Sequence, residues 1–249
     1  MTNIPRLFVS APMVTGASVR LDEGQAKYLT RVMRLGTGAI VRAFDSVNGE
    51  WRCALEIAGK AVHLELLEQT RAQVALTPLQ LLFAPLKKAR TDFVVEKATE
   101  LGVTHIQPII TEYTQTGRVR ADRLTALAIE AAEQTERLDV PAVSDALALV
   151  KALDGWPLNV PLYYCDEGSE ARPMSDVLSA SSQKGAALLI GPEGGFSPRE
   201  RKMLRALAFV TPVTLGPRIL RAETAAVCAL TLWQSQVGDW REPPYVPEI

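Results

Sequence analysis

Two glycine-rich stretches hold the residues whose types and spacing suit chemistry. The first is Leu188-Leu189-Ile190-Gly191-Pro192-Glu193-Gly194-Gly195-Phe196-Ser197, an apolar run that empties into three glycines and then a helix start. Glycine lets main chain approach a ligand closely. The Glu193 carboxylate repels phosphate, so this loop suits a neutral or cationic ligand with hydroxyls to bind. The second is Leu215-Gly216-Pro217-Arg218-Ile219-Leu220-Arg221-Ala222-Glu223-Thr224-Ala225, where two arginines and a glutamate crowd one loop. Arginine complements phosphate or a developing oxyanion, while Glu223 and Thr224 favour a helix N-terminus in any case. Each loop alone is also explained as a strand–helix connection with solvated charges. Ligands of open α/β sheets bind beyond the carboxyl ends of strands, and both loops fall there.

Other chemistry is excluded or weak. No Gly-x-x-x-x-Gly-Lys-Ser/Thr, Gly-x-Gly-x-x-Gly, His-Glu-x-x-His or Gly-x-Ser-x-Gly run is present. The only histidines, His63 and His105, lie in apolar strand-like runs and read as structural. Cys53, Cys165 and Cys228 are far apart and offer no thiol pair for zinc, so no metal is expected and reduced thiols are. The 249 residues carry 27 Lys plus Arg against 28 Asp plus Glu, with 47% hydrophobic and 22% charged residues. That balance excludes a disordered chain, a small disulfide scaffold and a histone-like basic protein, though not a nucleic-acid binder with a local basic patch. No apolar run approaches the ~18 residues of a membrane span, and MTNIPRLFVS lacks a signal-peptide pattern. A cytoplasmic protein with no membrane partner is expected.

The elements that must position the loops divide the chain. Residues 1–75 read as a small β-rich domain: Arg6–Ser10, Ala39–Phe44, Trp51–Ile57 and Ala61–Glu68 are short apolar runs, with the hairpin signal Asn48-Gly49 between the second and third. Asp22–Leu35 has helical spacing through Ala26, Leu29, Val32 and Met33. Thr70–Pro78 reads as a linker. Residues 76–249 alternate strand and helix: Leu79–Ala84, a helix capped by Thr91-Asp92 and closed by Gly102, Val103–Ile110, a helix from Asp122 to about Glu136, Leu162–Asp166, Ala186–Gly191, a helix opened by Ser197-Pro198-Arg199-Glu200, Val210–Leu215, and a closing helix over Glu223–Gln236. Such alternation predicts an α/β domain with a mostly parallel sheet covered on both faces.

IGPEGGFS at 190–197 and LGPRILRAETA at 215–225 resemble the signature stretches of the SPOUT RNA methyltransferases, and more narrowly the bacterial 16S rRNA uridine-N3 methyltransferases. Asp92–Val103, Ile129–Val143 and Tyr28–Gly38 are similar to further motifs of that family. The match departs at Glu136 and at Leu138-Asp139, flanking Arg137, where the family pattern leads one to expect a glycine and an Asn-Arg type pair. The resemblance implies a PUA-like RNA-binding β-barrel over 1–75 and a SPOUT domain with a trefoil knot over 76–249. It also implies a homodimer, and S-adenosylmethionine held by Leu189, Ile190, Gly191, Pro192, Glu193, Gly194, Gly195, Leu215, Gly216, Ile219, Leu220 and Thr224. The acceptor it implies is uracil N3 in small-subunit rRNA, free or in an assembled subunit. Within that reading Arg221 stabilises the imide anion, and Glu223 is the base or orients Arg221.

A non-catalytic ribosome-assembly protein, a SPOUT enzyme acting on a ribose 2′-hydroxyl or on tRNA, and a small-molecule enzyme are the alternatives. Basic clusters at Arg31 and Arg34, one helical turn apart, and at Lys87, Lys88 and Arg90 are the candidate RNA contacts, with Arg118, Arg120 and Arg123 a further cluster. Charge reversal at Lys87, Lys88 and Arg90 is expected to weaken rRNA binding and flatten its salt dependence, read from affinities across a salt series.

Overall fold

The computed structural model describes residues 4–115, 119–166, 171–181, 183–243 and 245. They form two compact units. Among the described residues, the first comprises 4–75 with 132–140 and 245, and the second those within 76–131 and 141–243.

In the first unit, β1 (Arg6–Phe8), β2 (Ser18–Arg20), β3 (Ile40–Phe44), β4 (Glu50–Ala58) and β5 (Ala61–Arg71) make a five-stranded sheet of order β1-β3-β4-β5-β2. β1 pairs β3 in parallel and the other pairs are antiparallel. Alternating residues bury one face of β3, β4 and β5 through Val41, Ala43, Cys53, Leu55, Leu64 and Leu66. The Asn48-Gly49 signal marks the β3–β4 turn. There Asp45 accepts hydrogen bonds from Val47 N, Asn48 N and Asn48 Nδ2. Burial alone would raise the Asp45 carboxyl, but these donors and Met13 N outweigh it and hold it below the usual range. Gly49 has φ +76°, and a Cβ there would stand 2.1 Å from the Arg71 carbonyl, so only glycine fits.

The predicted helix at 22–35 is shorter and different in kind. α1 (Glu23–Lys27) opens with a capping box between Asp22 and Gln25, then passes into a π-helical turn over Tyr28–Val32. The 70–78 linker begins later than expected because β5 runs to Arg71.

Residues 132–140 join the first unit around buried charge. Arg6 pairs with Glu50 at 2.6 Å, their side chains 4% and 0% exposed. Its remaining donors go to the carbonyls of Ala132 and Arg137. Arg42 grips Glu136 with two hydrogen bonds of 2.8 and 2.6 Å. Glu136 has φ +62°, the left-handed conformation that favours the glycine the resemblance leads one to expect there. Arg137, flanked by the other departure, pairs with Asp139.

The second unit is built on an eight-stranded sheet. Its strands are β6 (Leu79–Phe83), β7 (His105–Ile110), β8 (Ala142–Val143), β9 (Leu147–Ala148), β10 (Leu162–Cys165), β11 (Arg172–Pro173), β12 (Ala186–Ile190) and β13 (Val210–Thr214). The order is β11-β13-β10-β12-β6-β7-β8, with β9 on β7, and every pairing is parallel. All five residues of β12 are buried, as expected of a central parallel strand with both faces covered.

The helices are α2 (Lys88–Glu100), α3 (Ala121–Gln134), α4 (Leu149–Leu153), α5 (Met174–Ser179), α6 (Pro198–Arg205) and α7 (Ala222–Gln236). Two predicted caps fall inside their helices. α2 starts at Lys88, and the buried Thr91 hydroxyl instead bonds the main chain of Leu86. Asp122 lies in the first turn of α3. Short elements β8, β9, α4, β11 and α5 lack the length to show a period in sequence. No helix among the described residues is long and apolar enough to cross a membrane.

Replacing Glu50 by Gln removes the nearer of the two carboxylates that face the buried Arg6 and leaves Glu136 Oε2 at 3.5 Å. A loss of about 3 kcal/mol, at the low end for a broken buried pair, is expected, measured by denaturant unfolding against the parent chain.

Candidate active site

β10 lies between β12 and β13, parallel to both, so three strand ends meet at one edge of the sheet. The first glycine loop leaves β12 and the second leaves β13. Between them, Tyr164-Cys165-Asp166 ends β10. These segments and the start of α7 enclose a cavity of about 270 Å³.

Each loop is held in shape by its own residues. Gly191 admits the Phe196 ring, whose edge would stand 2.7 Å from an added Cβ. Phe196 meets Tyr164 edge to face at 5.1 Å. Gly195 has φ +68° and Gly216 φ +111°, both in the region that favours glycine. The Ser197–Glu200 capping box forms as the sequence predicts. Glu200 does more than cap: one carboxylate oxygen accepts from Ser197 N and the other from Glu112 N, both at 2.9 Å. This ties the end of the first loop to the turn after β7. Arg201 donates from Nε to the Phe196 carbonyl at 3.0 Å.

The cavity brings together Ile190, Gly191, Pro192, Glu193, Gly195, Leu215, Gly216, Ile219, Leu220 and Arg221. It does not take in Leu189, which is wholly buried inside β12, nor Gly194, which packs toward Tyr113. Thr224 is exposed in the first turn of α7 and stands outside the lining. Arg221 occupies the N-cap of α7 with extended backbone, exposed and free of ion pairs among the described residues.

Glu223 lies in the first turn of α7 and, like Thr224, stands outside the cavity lining. One of its oxygens faces Arg90 Nε at 3.5 Å, and the other, Oε2, is buried with no hydrogen-bond partner. Arg90 also donates to Glu193 at 3.1 Å, so it braces the first loop against α7, whereas sequence reasoning offered it only as an RNA contact. Lys87 and Lys88 are exposed at the start of α2. Arg31 and Arg34 are exposed in the first unit. Arg120 pairs with Asp122, Arg123 pairs with Asp92, and Arg118 lies outside the described residues.

Sequence reasoning missed Tyr164, Cys165, Asp166, Phe196 and Arg201 as lining residues. The rule that flagged the glycine loops applies equally to the end of the Leu162–Asp166 run and would have found the first three. Burial pushes the Cys165 thiol up to about 12, with Cys228 adding to the shift, so it is protonated at neutral pH. Burial and then Asp166 raise the Tyr164 phenol, which stays neutral. His105 contacts Ser144 Oγ at 2.7 Å, away from the cavity, and burial lowers its pKa. Among the described residues no cluster of three His, Cys, Asp or Glu side chains could hold a metal.

The model of an RNA methyltransferase domain matches residues 73–234, and that of an RNA methyltransferase PUA domain matches residues 21–67. The ribosomal RNA small subunit methyltransferase E of Rickettsia conorii is 30% identical over 227 residues, covering 90% of this chain and 93% of its own. The chain belongs to the ribosomal RNA small subunit methyltransferase E family. The family member from Synechocystis is 33% identical, with 90% of this chain and 75% of its own covered. The crystal structure of the family member from Neisseria gonorrhoeae, bound to S-adenosyl methionine, superposes with a TM-score of 0.81 at 29% identity, covering 94% and 98% of the two chains. A Legionella pneumophila protein in complex with the same cofactor gives 0.82 at 26% identity, covering 94% and 98%. The parallel sheet, the PUA domain and the methyltransferase domain are thus those of an α/β RNA methyltransferase.

In this family member Gly191→Ala forces the Phe196 ring from its place under the first loop. The loop is the part with least freedom to adjust, so ligand affinity is expected to fall at least tenfold while the melting temperature drops by only a few degrees. Calorimetric titration with S-adenosylmethionine beside a thermal melt checks both.

Proposed function

We propose that this chain transfers a methyl group from S-adenosylmethionine to N3 of a uridine in small-subunit rRNA. The reading is carried by the cavity between the two glycine loops, with Arg221 and Glu223 at the start of α7. The lining suits that cofactor. Glycine main chain and the apolar side chains of Ile190, Leu215 and Leu220 match an adenine, and the Glu193 carboxylate tolerates a cationic ligand. The cavity lies near the lower end of the range for small-molecule sites. Ile190, Gly191, Pro192, Glu193, Gly195, Leu215, Gly216, Ile219 and Leu220 are the residues that would hold it. When bound, the cofactor supplies an electrophilic methyl group on a sulfonium sulfur.

Uracil N3 carries a proton that must leave before its lone pair can attack. Glu223 is the carboxylate nearest to Arg221 in the chain and the candidate to take that proton, although its side chain stands beside Arg90, outside the cavity lining, and has to turn toward the substrate to do so. The resulting imide spreads negative charge over O2 and O4, and the exposed guanidinium of Arg221 stabilises it. Without ion-pair partners among the described residues, Arg221 meets the substrate with no competing carboxylate.

On this reading residues 1–75 form the RNA-binding domain and residues 76–249 the methyltransferase domain, knotted as the resemblance implies. Lys87 and Lys88, with Arg31 and Arg34, contact phosphates. The protein works in the cytoplasm as a homodimer. Ile219, 83% exposed at the lip of the cavity, is the kind of apolar side chain that a second protomer covers.

The deciding experiment is methyl transfer from labelled cofactor to small ribosomal subunits, and separately to naked rRNA, lacking native modification. Primer extension then locates the product. One strong stop at a uridine is expected, because an N3-methyl blocks Watson–Crick pairing. Label on a ribose, on tRNA, or nowhere despite cofactor binding overturns the assignment. Arg221→Ala is expected to lower the transfer rate by about 10²–10³-fold with cofactor affinity nearly intact. Equal loss of both would make Arg221 a cofactor ligand instead.

A further inference from the structure

The first unit presents one stretch of surface that its own fold does not explain. Arg31, Val32, Met33 and Arg34 are four consecutive exposed residues. Val32 is 67% exposed, Met33 36% and, at the head of the same turn, Tyr28 42%. A surface helix ordinarily alternates its apolar residues into the core, and here only Leu29 is buried.

The backbone is unusual at the same place. Tyr28–Val32 is π-helical, with Met33 N donating to the Tyr28 carbonyl at 2.9 Å, a step of five residues. That wider turn brings Val32 and Met33 round beside Tyr28 instead of letting the apolar stripe continue inward. Arg34 follows with φ +57°, a conformation that costs an L residue about 1–3 kcal/mol and concentrates at functional positions. The turn is nevertheless fixed from behind. Leu29 is wholly buried, Gln25 Nε2 donates to the Phe8 carbonyl at 2.7 Å, and Leu35 N donates to the Leu29 carbonyl at 2.9 Å. It is therefore a preformed surface.

Its charge is one-sided. Between Glu23 and Asp45 the chain has no acidic residue, while Lys27, Arg31 and Arg34 are all exposed on this turn. Neither arginine has an ion-pair partner among the described residues. Cations interleaved with an exposed aromatic ring and apolar side chains match what unpaired RNA requires: phosphates to neutralise and base faces to stack. A duplex, whose bases are already stacked, offers only the first.

The geometry points to Tyr28, Val32 and Met33 as a base-stacking platform for unpaired nucleotides of the RNA substrate, with Lys27, Arg31 and Arg34 holding the flanking phosphates. This rests on the proposed RNA-directed function and adds to it a strand state, single-stranded, and a non-ionic component of binding.

The test uses the full chain, a short oligouridylate as the single-stranded probe, and a blunt RNA duplex of equal length. Tyr28→Ala is expected to weaken oligouridylate binding by about 5- to 150-fold, to leave the salt slope unchanged and to spare duplex binding. Tyr28→Phe keeps the affinity. Arg31→Gln and Arg34→Gln each reduce the slope by about 0.7. The proposal is overturned if oligouridylate binds Tyr28→Ala and the double variant Val32→Ser, Met33→Ser as tightly as the parent. It is also overturned if Tyr28→Ala alters the RNA-free sedimentation coefficient, which would make the platform an interface with a second copy. A parent chain that binds neither RNA probe and methylates no subunit sinks the functional reading and this inference together. A parent that methylates subunits, with Tyr28→Ala unimpaired in oligouridylate binding, sinks the inference alone.

Discussion

Parallel pairing of β10 with both of its neighbours is the constraint on which the site depends. Parallel strands all end on the same edge, so β12, β10 and β13 deliver their following loops side by side. An antiparallel partner at either position would send one glycine loop to the opposite edge. The residue register is equally strict: Tyr164 lies opposite Leu189 on one side and Pro212 on the other. The ring that supports Phe196 is thereby placed by hydrogen bonds of the sheet, not by the loops themselves. Burial of all of β12 makes that register hard to shift.

Around this edge the loops are stiffened by small, local devices. Glycine at 191 makes room for an aromatic ring, and glycine at 195 and 216 takes up backbone angles that other residues resist. Glu200 uses both carboxylate oxygens on main-chain donors, and Arg90 spans two carboxylates. None of these contacts is large. Together they fix main chain that has no regular partner of its own, which is what close recognition of a small ligand demands. The arrangement also separates roles in charge: Glu193 and Glu223 share a cation, whereas Arg221 keeps its guanidinium unpaired among the described residues.

Long periodic segments were legible in the sequence, and so was the position of the two glycine loops at the ends of strands. β6, β12, β13 and α7 are each marked by an apolar run bounded by glycine, proline or a cap, and β7 by the Gly102 stop that precedes it. The Ser197–Glu200 box reads directly because its two hydrogen bonds are local. What could not be read depends on tertiary partners. Asp22–Leu35 has helical spacing, yet spacing does not distinguish an α turn from a π turn, and exposure of Val32 and Met33 is a property of the surface around them. Thr91 looks like a cap but bonds the main chain of Leu86 from inside the helix. Arg90 reads as one more surface cation, since neither Glu193 nor Glu223 is near it in sequence. Two-residue strands such as β8 and β11 carry no pattern at all.

The return of residues 132–140 to the first unit has a temporal meaning. Arg6 is made well before residues 132–140, yet the carbonyls that satisfy its buried guanidinium belong to Ala132 and Arg137. At about 5–20 residues per second of synthesis, the 65 residues between 75 and 140 take about 3–13 s to appear. Throughout that interval the residues of the first sheet exist without the segment that completes their buried charges. Its final closure is therefore tied to emergence of the chain's middle, which makes the N-terminal unit a late finisher during translation.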